Sequence, residues 1–319
     1  MKVKASPASH YIRITLLTIA LCALYSLMDG LGTTLVGLCI SSCLALAFYN
    51  EHYGKAIANS LLVVIIFFLQ QGVVSALMTS VPILLVALSL NLGARLRLPL
   101  FRVVLICFVL YVSDIVINLK LISYVTDGEM TISSLMLQLG EEIRALPQLQ
   151  SADPAVKNVV EQVIRTSVDA SIRFAPAVFM IISMALAYGV VALFKAMQVK
   201  RGVTMDFWVP FTALHAHWIL GAQYLLFGIL LFSAPQGYFF DLTANVLLVM
   251  SFIFVVLGVS VILFKSQLNP GGNGNGKWII LLVLCVIGMV LLPILVCLFY
   301  GLTDSFFDYR KAVQQKREQ

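Results

Sequence analysis

"VVSALMTSVPILLVALSLNLGARLRLPLFRVVLICFVLYVSDIVINLKLISYV", residues 73–125, holds two long apolar runs parted by a turn that carries Arg95, Arg97 and Arg102. Crossing the hydrocarbon core of a bilayer takes about 20 mainly apolar residues, and 73–90 and 103–125 both approach that length. Short connections rich in Lys and Arg stay on the cytoplasmic side. The stretch therefore predicts a pair of membrane-spanning helices joined by a cytoplasmic turn.

The rest of the chain repeats this pattern. Hydrophobic residues make up 61% of 319 and charged residues 11%, with a mean hydropathy of +0.98. Soluble domains average about 45–50% apolar and about 25% charged residues, so lipid is the main solvent. Net charge +6 and a pI near 9.0 do not point to nucleic acid. The basic residues sit in short clusters between apolar runs, without a stripe interleaved with aromatics. All six cysteines lie inside apolar runs and lack CxxC spacing, so they read as packing residues, not as metal or redox ligands.

Nine candidate spans follow: 11–27, 31–49, 56–69, 73–90, 103–125, 172–194, 211–232, 242–264 and 278–300. Lys2, Lys4 and Arg13 stand ahead of an apolar run, as in a secretory signal peptide. Leu21 before Cys22 spoils a lipoprotein cleavage box and a second apolar run starts at Leu31, so an uncleaved helix is expected. A cytoplasmic N-terminus puts Lys55, Arg95, Arg97, Arg102, Lys195, Lys200, Arg201, Lys265 and Lys277 inside as well. Nine crossings then leave Arg310, Lys311, Lys316 and Arg317 outside. Eight crossings bring both termini inside, with one segment within 207–233 interfacial or re-entrant, where Pro210, His215 and His217 interrupt the run. That count moves Lys265 and Lys277 outside, and both counts stay open.

The predicted architecture is all-α: a polytopic helical membrane bundle of eight or nine transmembrane helices, forming a single membrane domain over 1–319. It carries an extracytoplasmic helical insertion at 126–171 and a cytoplasmic or interfacial tail at 302–319. Within the insertion, Ile132, Leu135, Met136, Leu139, Ile143 and Leu146 recur at spacings of three and four, an amphipathic helix. A second helix starts with Asp153 as N-cap and Pro154 at its first position, with Val156, Val159, Val160 and Val163 as its stripe. It runs on into the sixth span, where Pro176 removes a backbone donor. The pair reads as an amphipathic hairpin outside the bilayer, lying on the membrane surface or over an outward-facing pocket. "NPGGNGNGK", 269–277, is a flexible linker; no Lys followed by Ser or Thr opens a helix after it, so it is no phosphate loop.

Ionisable groups within spans cost free energy and mark candidate sites. Asp114 lies near the middle of the fifth span and Asn118 follows at four residues, on the same helix face. Arg173, at the outer entrance of the sixth span, reads as a snorkelling anchor or, with Asp114 and Asn118, as a substrate-binding group beneath the hairpin. His215 and His217, two apart, point about 200° away from each other on a helix and do not share a metal. With Trp208 and Trp218 they read as an interfacial aromatic belt. Thr33, Gly37, Ser41 and Ala45, like Ala185 and Gly189, form small-residue faces for close helix approach. Nucleophile elbow, zinc-ligand pair and dinucleotide fingerprint are all missing. The sequence therefore predicts no enzyme, no cofactor and no metal.

The chain ends on "GLTDSFFDYRK", 301–311, with Asp304 and Asp308 one helical turn apart. Like charges so placed repel unless a cation joins them, and Arg310, Lys311 or the basic turn at Arg95 and Arg97 can supply it. The segment reads as an interfacial foot, with Asp304, Asp308 and Arg310 as candidate partner-binding residues. This ending resembles the C-terminal signature of the YybS-like family of uncharacterised bacterial multi-pass membrane proteins. "VPILLVALSLNLGARLRLP", "FAPAVFMIISMALAYGVVALF", the tryptophan of "HAHWIL" and "ANVLLVMSFIFVVLGVSVILF" fit the family in the same order.

The resemblance implies a location in the bacterial inner membrane and a distant similarity to the substrate-binding subunits of energy-coupling-factor transporters. By that similarity the chain would bind a small solute within its bundle and be driven by a separate ATPase and coupling subunit. Those subunits carry an Ala-x-x-x-Ala docking face on the first helix. Here Ala20 and Ala23 are three apart and Leu24 stands at the fourth position, so that face is not reproduced. Two readings follow: a solute-binding or transport protein using Asp114, Asn118 and Arg173, or a non-transporting scaffold whose foot binds a membrane or cytoplasmic protein.

Overall fold

A computed structural model of the protein describes residues 7–28, 31–50, 53–125, 131–145, 154–268, 291–308 and 310. The described residues form ten α-helices: α1 Pro7–Tyr25, α2 Leu31–Asn50, α3 Tyr53–Gln71, α4 Val73–Arg95, α5 Leu100–Val125, α6 Ile132–Arg144, α7 Pro154–Lys200, α8 Trp218–Ser233, α9 Tyr238–Leu268 and α10 Leu291–Phe307. A short 3-10 turn, Phe211–Ala213, precedes α8. Among the described residues, six helices are long and apolar enough to cross a membrane: Gly32–Asn50, Tyr53–Gln71, Val73–Arg95, Leu100–Leu121, Ala155–Lys200 and Tyr238–Gln267. Tyr11–Tyr25, Trp218–Ser233 and Pro293–Phe307 are apolar but shorter. Asp153, Leu146, the 269–277 linker, Lys311, Lys316 and Arg317 lie outside the described residues.

The chain divides into two compact units, residues 1–131 with 182–208 and residues 132–181 with 209–319. In the first, α2 is the central helix and packs on α1, α3 and α4. Its segment from Ile40 to Phe48 is buried on every side, as expected of a helix apolar all round. Gly189 of α7 approaches Leu38 of α2, which uses one of the small-residue faces expected from sequence. The basic turns of this unit meet at one end. There Tyr11 donates to the Lys55 carbonyl (3.3 Å), and Asn50 donates to Gln198 (3.4 Å).

In the second unit α9 and α10 pack most extensively. A Cβ at Gly258 would stand 1.8 Å from the Cys297 carbonyl oxygen, and one at Gly301 would stand 2.0 Å from that of Phe254. Bare backbone at both positions lets the helices touch. α10 does not stop near Tyr300 but continues through Phe307, so Asp304 sits on its last turn and not in a separate foot.

The second amphipathic pattern does run unbroken into the sixth span, as the 47-residue α7. Gly140 of α6 backs onto Ile164 and Val168 of α7. Leu139, Ile143, Val156, Val159 (63% exposed) and Val163 nevertheless face outward. The apolar stripes are thus not the unit's own core.

At Pro176 the helix is mended from outside. Ala177 N–H, whose helical acceptor is the Arg173 carbonyl, donates to Asn245 Oδ1 of α9 at 3.0 Å. Asn245 Nδ2 donates to that same carbonyl at 2.9 Å and to the Asp241 carbonyl at 2.7 Å. One asparagine thus stands across the rung beside the proline, the kind of insertion that accompanies helix kinks.

Candidate functional site

Two sets of polar side chains are held by these helices, one in each unit. In the first unit, α5 presents Asp114 and Asn118 half-buried on one face. Asn118 Nδ2 donates to Asp114 Oδ1 at 2.8 Å and to the Asp114 carbonyl at 2.9 Å. Among the described residues this is the hydrogen bonding Asp114 makes, and it stays within one helix. A carboxylate serving as glue between helices would bond across them. Tyr111 of α5 and Tyr25 of α1 lie within electrostatic reach of Asp114, and Tyr25 also faces Thr79 of α4. Thr79 in turn donates to Gln71 of α3 at 3.2 Å, so a chain of polar groups leads from Tyr25 to α4 and α3.

The interior of the same unit holds a residue that sequence reading missed. Asn59 of α3 is 1% exposed, and neither its amide oxygen nor its nitrogen has a hydrogen-bond partner among the described residues. Ser42, Ser80 and Ser183 hydroxyls and Gln198 Nε2 are likewise buried without one. Each such group costs free energy when kept from water. Nothing in the local sequence around Asn59 distinguishes it from a helix-packing amide.

In the second unit the terminal residues fold inward. Arg310 Nε lies 3.2 Å from Asp304 Oδ2, and the two side chains are only 7% and 3% exposed. The pair is not aligned as a hydrogen bond, and Asp304 Oδ1 has no partner among the described residues. Arg310 donates instead to the Thr212 carbonyl and to Ser260 Oγ of α9 (3.2 Å). His215 faces both carboxylates, with Nδ1 3.7 Å from Asp304 Oδ2 and Nε2 3.9 Å from Asp308 Oδ2. Burial pulls the Arg310 pKa down while Asp304 and Asp308 push it back up. The guanidinium nonetheless remains charged.

The structure thus brings Asp304, Asp308 and Arg310 together, with Arg310 paired to Asp304 and within electrostatic reach of Asp308, and adds His215, Ser260 and Thr212. His215 was expected in an aromatic belt and instead faces carboxylates. Trp208 is not in such a belt either. It is 1% exposed, donates to the Leu98 carbonyl (3.0 Å) and packs on Phe194, because an indole buried away from lipid finds a partner for its N–H. Trp218 remains exposed, and His217 caps α8 by accepting from Ile219 N–H. Arg173 belongs to the second unit, where its Nε lies 3.0 Å from Asp241 Oδ1.

Helices of this length and apolarity, with polar side chains turned inward and apolar ones exposed, define a multi-pass α-helical membrane protein. A family model described as "Predicted membrane protein (DUF2232)" matches residues 16–305. The chain belongs to that family, in keeping with the resemblance its terminal stretch carries. No curated protein and no solved structure matches it.

Proposed function

We propose that the chain is a non-enzymatic solute-binding protein of the bacterial inner membrane. In this reading it has eight or nine crossings and a cytoplasmic N-terminus, and the exposed stripes of α6 and early α7 rest on the outer membrane surface. The solute binds in the first unit at Asp114 and Asn118, in the manner of an energy-coupling-factor substrate-binding subunit. The observation that carries this is the carboxylate itself. It sits in a spanning helix, bonds only to its own helix turn, and leaves Oδ2 without a hydrogen bond among the described residues. The unpaired Asn59 amide in the same unit supports the reading, since buried polar groups without partners are what a polar ligand satisfies. Arg173 is engaged by Asp241 and carries no weight here.

The test is mass spectrometry of small molecules released from protein purified in mild detergent. The wild type is expected to carry a solute that Asp114→Asn loses at equal expression. Equal release from both proteins would remove Asp114 from the binding site.

A second reading, a scaffold that binds a membrane or cytoplasmic protein, draws on the end of α10. Phe307 is 79% exposed beside the part-exposed Asp308. Asp304 and Arg310 would then shape the docking turn from within. Co-purification of a partner that survives Asp308→Ala together with Phe307→Ala would exclude this surface.

A further inference from the structure

The end of the first unit where its basic turns meet carries a cleft of about 760 Å³, lined by Tyr49, Arg95, Arg97, Thr204, Asp206 and Phe207. It is separate from Asp114, which the lining does not include. From its construction we infer that the cleft binds a phosphate ester with a small organic group, either the headgroup of an anionic lipid or a free phosphorylated solute.

Four observations carry this. First, the walls are fastened to each other. Trp208 of the 201–208 turn donates to Leu98 of the turn between α4 and α5, and Lys195 donates to the Trp208 carbonyl. Second, Arg95 is held rigid: Nε donates to Asn91 (3.0 Å), one terminal nitrogen to Tyr53 Oη (2.7 Å) and the other to the Phe48 carbonyl (2.7 Å). Those bonds use three of the five N–H donors of a guanidinium. The other two, one on each terminal nitrogen, have no hydrogen-bond partner among the described residues and sit on a braced planar group of the kind that matches phosphate oxygens. Third, the backbone carrying Arg97 is fixed: it takes φ +51° at the left-handed position of the Schellman turn that ends α4, closed by Leu98 N–H to the Gly93 carbonyl at 2.9 Å.

The fourth is charge. Two arginines and one carboxylate, Asp206, line the space, which leaves the lining net positive. A basic end alone is a topology signal; a concave, braced one with unspent donors is a binding site. Its volume exceeds what phosphate alone needs and falls within the range of about 300–1,000 Å³ for small-molecule pockets. Tyr49 and Phe207 give the organic part an aromatic wall.

The test uses the full-length protein in nanodiscs of phosphatidylcholine, titrated with glycerol 3-phosphate or with short-chain phosphatidylglycerol. Saturable binding of either is expected, and which of the two binds identifies the source of the phosphate. Arg97→Gln should weaken binding about tenfold, the loss of one charge-assisted contact. Asp206→Asn should tighten it by about threefold or more, a gain that misfolding cannot mimic. Absence of saturable binding by both probes would overturn the inference. So would affinities that neither substitution moves.

Discussion

Replacing Asn245 with Ala removes one side chain and strips two backbone groups of a partner at once. The Ala177 N–H belongs to a fully buried residue, and a buried donor left unsatisfied costs about 1–3 kcal/mol. The Arg173 carbonyl lies on an exposed part of the helix and regains a partner more easily, so it adds less. A total near 2 kcal/mol is expected, about a 30-fold change in the unfolding equilibrium. The cause is Pro176, whose ring crowds the carbonyl four residues back and keeps the neighbouring rung from closing.

Replacing Pro176 with Ala should let that rung close within α7. In that background Asn245→Ala should cost no more than about 0.5 kcal/mol. The pair would then couple by about 1.5 kcal/mol in a double-mutant cycle. Equilibrium unfolding in mixed SDS micelles, followed by far-ultraviolet circular dichroism, measures it. Additive effects, or a single Asn245→Ala cost below about 0.5 kcal/mol, would show that the helix closes its own rung and that the asparagine mends nothing.

Three further outcomes follow from the same contacts. Arg310→Leu should destabilise by about 3–5 kcal/mol, because it leaves Asp304 buried without a cation, whereas Asp304→Leu with Arg310→Leu should recover most of that loss; thermal unfolding in detergent compares the two. Gly301→Val should abolish folding or force α9 and α10 apart, since even a Cβ would meet the Phe254 carbonyl, and limited proteolysis of the purified protein would reveal it. Arg173→Gln should change stability by less than about 1 kcal/mol, because its pair with Asp241 is solvent-accessible; a larger loss in the same unfolding assay would give that pair a structural role.

The helices were legible because apolar run length is a local property. Each of the nine apolar runs overlaps a described helix, the ninth only from Leu291 because 278–290 lie outside the described residues, and Pro154–Lys200 is continuous although Pro176 interrupts its pattern. The side-chain pairings were not legible, because they join residues far apart in sequence. Asn245 reaches Ala177 across 68 residues, Arg310 reaches Thr212 across 98, and Trp208 reaches Leu98 across 110. Periodicity also says that a face is apolar without saying what covers it, which is why the valines of early α7 turn out exposed. In the terminal cluster the spacing of Asp304 and Asp308 demanded a cation and Arg310 supplies it, but nothing near position 260 announced that a serine would help hold it.

The polar side chains of the two units do different work. Hydroxyls along the spanning helices mostly bond back to the carbonyl four residues earlier, as Thr18, Ser60, Thr243 and Ser251 do, and so mark no site. In the second unit the costly groups each meet another element, although Asp304 Oδ1 stays without a hydrogen bond among the described residues: Asn245 mends a proline, Arg173 meets Asp241, and Arg310 meets Asp304. In the first unit several are not. Asn59 is buried with both ends idle, and Asp114 uses one oxygen on its own helix. Selection for stability alone would replace an idle buried amide with an apolar residue of the same size. Asn59→Leu separates the two accounts: if the amide is structural surplus the variant unfolds at a higher temperature and keeps its bound solute, and if the amide serves a ligand the solute is lost.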